Sequence, residues 1–145
     1  MIAERLAAQL LSGPAANSPE QVVDRLLAVQ AQDSRATRLS IRSRSVGLTA
    51  ADIDDALTLR RSLAVAWLGR GTLHLVSAAD YWWLHPLTTP QLGAGNARRL
   101  AQEGVSPAQA DRGVEVIGRA LTSAGPQTRP VLRALLDSAG VPTAR

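Results

Sequence analysis

Apolar positions recur along most of this chain with the period of a helix. Ile2, Leu6 and Leu10, with Ala3 and Ala7, make one face of a helix over 2–11 that Gly13-Pro14 stops. Ser18-Pro19-Glu20-Gln21 sets an N-cap serine, a first-turn proline and a capping-box glutamine ahead of Val22, Val23, Leu26 and Leu27, which predicts a second helix. Its stripe continues to Gln30, where an amide replaces a hydrocarbon, and such inconsistencies mark candidate sites. A third helix over 34–44 is predicted after Asp33, with Arg35, Arg38 and Arg42 on one face and Ala36, Leu39 and Ser43 turned inward. Thr49-Ala50-Ala51-Asp52 opens a short helix with Ile53, Ala56 and Leu57. Ser77 to Asp80 caps another that holds Tyr81, Trp82, Trp83 and Leu84 and ends at His85-Pro86. The four aromatics all lie between Trp67 and Trp83, which places the expected hydrophobic centre of the first domain beside this helix. A weaker helix spans 90–103. Ser106-Pro107-Ala108-Gln109 opens one through Val114, Ile117 and Leu121, and Thr128 caps a last one with Val131, Leu132, Leu135 and Leu136, stopped by Gly140 and Pro142.

Only one stretch reads as β-structure. Residues 62–68 and 72–76 are apolar, β-branched and aromatic runs, and Gly69-Arg70-Gly71 between them suits a tight antiparallel turn with an arginine at its tip. Helices gathered around one such hairpin predict a mainly α fold, a winged helix with a helix-turn-helix and one β-hairpin wing. Residues 1–123 are expected to form that domain with its following helices, and 124–145 to open a truncated second winged helix. The apolar face of 131–136 then awaits a partner or further domains, unless it packs back on the preceding helices.

Composition narrows the function classes. The chain has 145 residues, and its formal charge of +4 comes from 16 cations, every one an arginine, against 12 acids. Guanidinium groups match phosphate oxygens in two-point geometry, so a polyanionic partner is favoured. Without cysteine there are neither disulfides nor thiolate metal sites, and two histidines make no His cluster. Neither a metal nor a cofactor is implied. The N-terminus interrupts its apolar pattern with Glu4, Arg5 and Gln9, unlike a signal peptide, and no apolar run reaches ~18 residues. A cytoplasmic protein is expected.

Leu27-Ala28-Val29-Gln30-Ala31-Gln32-Asp33, taken with Trp67-Leu68-Gly69-Arg70-Gly71-Thr72-Leu73-His74-Leu75-Val76, resembles the winged-helix AlkZ-like DNA glycosylases. Gly125-Pro126-Gln127-Thr128-Arg129, a Leu-rich helix and Gly140-Val141-Pro142 resemble the start of that family's second winged helix. The resemblance covers the N-terminal part of the family pattern, and this segment alone is expected to be weak or inactive as an enzyme. It departs from the pattern at Val65-Ala66, where a polar pair is usual.

The resemblance implies hydrolysis of N-glycosidic bonds at alkylated N7-type purines or cross-links, in DNA repair, with double-stranded DNA as partner. It implies that Gln30 and Gln32, matching the family's Gln-apolar-Gln motif, are catalytic. A purine charged at N7 leaves without a strong acid, so the protein need only hold a water at the anomeric carbon and offer oxygens to the oxocarbenium. Arg35, Arg38, Arg42, Arg70 and His74 become the DNA-binding candidates. By residue type alone, the glutamines cap backbone groups, the arginine face is solvated and His74 is a packing residue. Two alternatives stand beside the enzyme: a non-catalytic winged-helix regulator, and a protein-interaction module docking through 131–136.

Overall fold

The structure, a computed structural model, describes residues 1–69, 71–90 and 92–143. In chain order these hold α1 Ile2–Ala8, α2 Pro19–Leu26, β1 Val29–Gln30, α3 Ser34–Arg42, α4 Ala50–Thr58, β2 Leu63–Leu68, β3 Thr72–Ser77, α5 Ala78–Thr88, α6 Leu92–Gln102, α7 Pro107–Ala124 and α8 Arg129–Ser138. The fold is mainly α, with one antiparallel sheet in the order β1-β3-β2. It forms two units, Met1–Pro90 and Gln91–Arg145. The seam expected after residue 123 falls at the C-terminal end of α7, inside the second unit.

Local chemistry sets most helix starts. The Ser18 hydroxyl accepts the Gln21 N–H at 3.2 Å while Gln21 Oε1 takes the Asn17 N–H at 2.8 Å. Asp33 accepts the Ala36 N–H at 2.6 Å, and Thr49 and Asp52 exchange bonds in a capping box. Each cap satisfies donors that the first helical turn leaves without partners.

The predicted second helix does not reach Gln30. It ends at Leu26, because Leu27 takes φ 67° and ψ −43°, a left-handed conformation that throws the chain out of the helix. Val29 then pairs with Leu75 and Gln30 with His74, adding a third strand to the hairpin. Val29 and Ala31 are buried while Gln30 and Gln32 are exposed, the alternation of a half-buried strand. The hairpin itself forms as predicted, with Leu63 opposite Ser77 and Leu68 opposite Thr72, and Gly69 and Gly71 flank its turn at positive φ.

The main core lies on the sheet face opposite α5. Val22, Val23, Ile41, Ile53 and Leu75 are essentially inaccessible there, joined by Val29, Ala31, Ala56 and Leu63. The hydrophobic centre expected beside α5 is a smaller cluster of Ala66, Leu68, Val76 and Leu84 against Tyr81 and Ala28. Residues 81–84 point all round their helix, so only Tyr81 and Leu84 can reach the sheet; Trp82 stays 78% exposed. α5 also continues through Pro86 rather than ending there. Pro86 removes the N–H that would reach the Trp82 carbonyl, while the Thr88 and Thr89 hydroxyls bond the next carbonyls, of Leu84 and His85, at 2.8 and 2.7 Å.

Two further expectations fail for physical reasons. α3 buries Thr37 and Ile41, and Leu39 is 52% exposed. Thr37 donates its hydroxyl to the Asp33 carbonyl at 2.7 Å, so it enters the core with its polar group satisfied. α1 is shorter than predicted and buries no residue; Leu10, at φ 55°, turns back to pack on the core instead.

Glu20 fastens α2 to the entry of β2. Its Oε1 accepts from the Ser62 hydroxyl at 2.5 Å and from Arg60 Nε at 3.3 Å, and Arg60 Nη2 also donates to the Asp52 carbonyl at 3.2 Å. Burial pushes this carboxyl up, but the Ser62 hydroxyl, its own backbone N–H and Arg60 together hold it below the ordinary 4.5.

In the second unit Ser106 and Gln109 form another capping box, and Gln109 Nε2 and Arg112 Nε tie α7 to the Gly140 and Ala139 carbonyls at 3.2 and 3.0 Å. α8 packs on α7 through Gly113, where an added Cβ would stand 3.4 Å from Leu136. Val131 and Leu135 on α8 remain exposed.

The bend at Leu27 and the Glu20 tie can each be tested. Leu27→Ile keeps the side-chain volume but puts a β-branched residue at positive φ, and is expected to cost about 1–3 kcal/mol in urea unfolding; an unchanged midpoint would remove the strain. For Glu20, a lowered folded pKa contributes stability above the ordinary value of 4.5 that is lost as pH falls through the folded value. The stability gap between the native chain and Glu20→Gln should therefore be constant above pH 4.5 and close below it.

Candidate active site and nucleic-acid interface

β1 is short and lies at the sheet edge; it carries Gln30, and Gln32 follows two residues on. Ala31 N–H donates to the Leu73 carbonyl at 2.8 Å, which continues the β1–β3 ladder past Gln30. The return bond is made by a side chain: Leu73 N–H donates to Gln32 Oε1 at 3.4 Å. Gln32 thus closes the ladder with its amide oxygen, and its NH₂ makes no hydrogen bond among the described residues. The Gln30 backbone carbonyl accepts from Thr37 at 3.4 Å, while its side-chain amide makes no hydrogen bond among the described residues.

Strand pairing sets Gln30 beside His74, and Thr72, His74 and Ala66 share that sheet face. His74 Nδ1 lies 3.0 Å from the Thr72 carbonyl. A carbonyl only accepts, so Nδ1 donates a proton to it. The edge strand therefore presents Gln30 across from His74 of the central strand, with Gln32 two residues on. The amides can orient a water and offer oxygen lone pairs to a developing positive charge.

The arginine face of α3 is less basic than its spacing implies. Arg38 donates to Asp54 from Nε at 2.9 Å and Nη2 at 2.6 Å, so its charge is met. Arg42 Nε donates to the Leu48 carbonyl at 3.1 Å and has no carboxylate partner among the described residues. Arg35 is exposed and without a hydrogen bond among them. Arg70 lies outside the described residues.

Sequence reasoning missed the pairing of β1, although Val29-Gln30-Ala31-Gln32 carries the apolar-polar alternation that signals a strand. Nor did it single out Arg44. That guanidinium bonds the Gln9 carbonyl at 3.0 Å and the Ser40 carbonyl at 2.8 Å, and no local pattern announces either contact. Among the described residues no three acidic or histidine side chains cluster as a metal site, and no helix is long and apolar enough to cross a membrane.

The chain belongs to the AlkZ-like DNA glycosylase family, whose model matches residues 23–144. Among solved structures it is similar to the DNA glycosylase AlkZ of Streptomyces sahachiroi, at 28% identity and a TM-score of 0.56. That match covers 79% of this chain, which spans 31% of the other's length. No curated protein matches it.

Amide exchange separates the two glutamines. Gln32→Ala should speed exchange of the Leu73 amide by removing its acceptor, whereas Gln30→Ala should leave that amide unchanged; the reverse result would contradict the geometry.

Proposed function

We propose that this chain is the water-positioning and DNA-gripping portion of a glycosylase that hydrolyses N-glycosidic bonds of alkylated N7-type purines. The carrying observation is the exposed Gln30 amide, without a hydrogen bond among the described residues, across from His74 on the strand face next to the hairpin. In this reading Gln30 holds the water by its carbonyl oxygen and Gln32 completes the water's hydrogen bonding through its NH₂. The water oxygen bonds to C1′ as the C1′–N9 bond breaks. The bonding pair passes to the purine and neutralises its charge, and the water's proton leaves to solvent. Because the purine already carries positive charge, no buried carboxylic acid is needed to make it leave.

The same reading makes α3 and α4 a helix-turn-helix and β2–β3 its wing. A second winged helix would begin near residue 124, and the protein would work in the cytoplasm. Arg35 and Arg42, which lack carboxylate partners among the described residues, would bind phosphate with Arg70 of the hairpin, and His74 would meet the DNA beside them. Arg38 would help only if its bond to Asp54 opened.

A sequence-reading regulator would need the second helix of the α3–α4 pair in the major groove, and α4 carries Asp52, Asp54 and Asp55, which repel phosphate; a glycosylase that grips the backbone from α3 and the hairpin does not need α4 there. The Thr49 hydroxyl and backbone hold Asp52 below the ordinary carboxylate value, so it is charged at neutral pH.

Release of 7-methylpurine from methylated duplex DNA tests the proposal. The chain should release base in single turnover, and Gln30→Ala should lower the rate about a hundred-fold or more. Duplex binding with no release, or release indifferent to Gln30, would sink it.

A further inference from the structure

Gln30 lines a cavity of about 210 Å³ together with Gln9, Leu26, Ala28, Ser40 and Arg44. Arg44 is half-buried, and its guanidinium is fixed from one side. Nε donates to the Gln9 carbonyl at 3.0 Å, and Nη1 donates to the Ser40 carbonyl at 2.8 Å, the Ser40 hydroxyl at 3.0 Å and the Ser43 hydroxyl at 3.2 Å. Every one of these acceptors is neutral. Arg38, Arg60 and Arg99 each have a carboxylate, whereas Arg44 has none among the described residues, and its Nη2 has no partner there. The Ser40 hydroxyl accepts from Arg44, so its own proton is available to a ligand.

A fixed, uncompensated cation with spare donors, in a cavity it shares with Gln30, has one kind of complement. It repels a positively charged purine and opposes an oxocarbenium, so neither the leaving base nor the sugar ring fits beside it. A phosphodiester oxygen does, because a charge-assisted bond from guanidinium and a second from a hydroxyl both strengthen on an anion. We propose that Arg44 and Ser40 form a phosphate anchor that holds one backbone linkage flanking the nucleotide presented to Gln30. This rests on Gln30 being the water-positioning residue. The anchor fixes the register of the sugar against that amide, which a freely swinging surface arginine cannot do. It also places a negative charge near the anomeric carbon, where positive charge develops.

The test uses the full chain and a duplex with one tetrahydrofuran abasic analogue, followed by fluorescence anisotropy across a salt series. Matched duplexes carry a neutral methylphosphonate at one or the other flanking linkage. Arg44→Gln should weaken binding about ten-fold and reduce the slope of log affinity against log salt by about 0.9. One methylphosphonate should cost the native chain a similar factor and cost Arg44→Gln nothing more. Independent, multiplying losses would overturn the anchor, as would a native chain indifferent to both neutral linkages. Should loss of the Gln9 tie unfold Arg44→Gln, Ser40→Ala carries the test, since the guanidinium keeps its two carbonyls and Ser43. It should lose several-fold on the all-phosphate duplex and nothing on the sensitive methylphosphonate duplex; equal losses on both overturn the proposal. Absence of any DNA binding overturns the anchor and the glycosylase reading together. The expected binding pattern without base release sinks only the role of Gln30.

Discussion

The first unit depends on the chain leaving α2 at Leu27 and joining the sheet at Val29. A left-handed leucine is unfavourable by itself, and it persists because the strand after it is firmly held. Val29 is buried opposite Leu75, and Ala31 donates into the Leu73 carbonyl. Had the helix continued, Val29 and Ala31 would leave the core and Gln30 would ride a helix face. The strand sends the apolar pair inward and the two glutamines outward. One bend therefore completes the core and exposes the amides.

The two glutamines have the same chemistry but different freedom. Gln32 spends its oxygen on the Leu73 N–H, which the short strand would otherwise leave without a partner. Gln30 accepts at its backbone carbonyl, and its side-chain amide makes no hydrogen bond among the described residues. The asymmetry leaves the Gln30 amide oxygen positioned by the strand yet not committed to a partner among the described residues. His74 adds a ring whose tautomer the Thr72 carbonyl sets.

Charge is sorted by tertiary pairing. Arg38 and Arg60 are matched by Asp54 and Glu20, and these bridges hold α3 to α4 and α2 to the entry of β2. Such partly exposed pairs contribute modestly to stability, but they remove cations from the surface offered to a polyanion. Arg35, Arg42 and Arg44 keep theirs without a carboxylate among the described residues. The basic surface is thus narrower than the count of arginines suggests, and part of it adjoins the amide pair.

By itself the sequence determined the elements whose causes lie within a few residues. Ser18, Asp33, Thr49 and Ser106 cap helices with side chains three residues from their partners, and Gly69 and Gly71 admit the turn between two β-rich runs. The Gln-Ala-Gln motif was visible too, but not the strand that presents it. Tertiary structure decided that β1 pairs with β3, that Thr37 rather than Leu39 faces inward, and which arginines keep an unmatched charge. Leu73 stands forty-one positions from Gln32, Asp54 sixteen from Arg38 and Gln9 thirty-five from Arg44. Contacts across such separations arise from how the core closes, which no local pattern of residues contains.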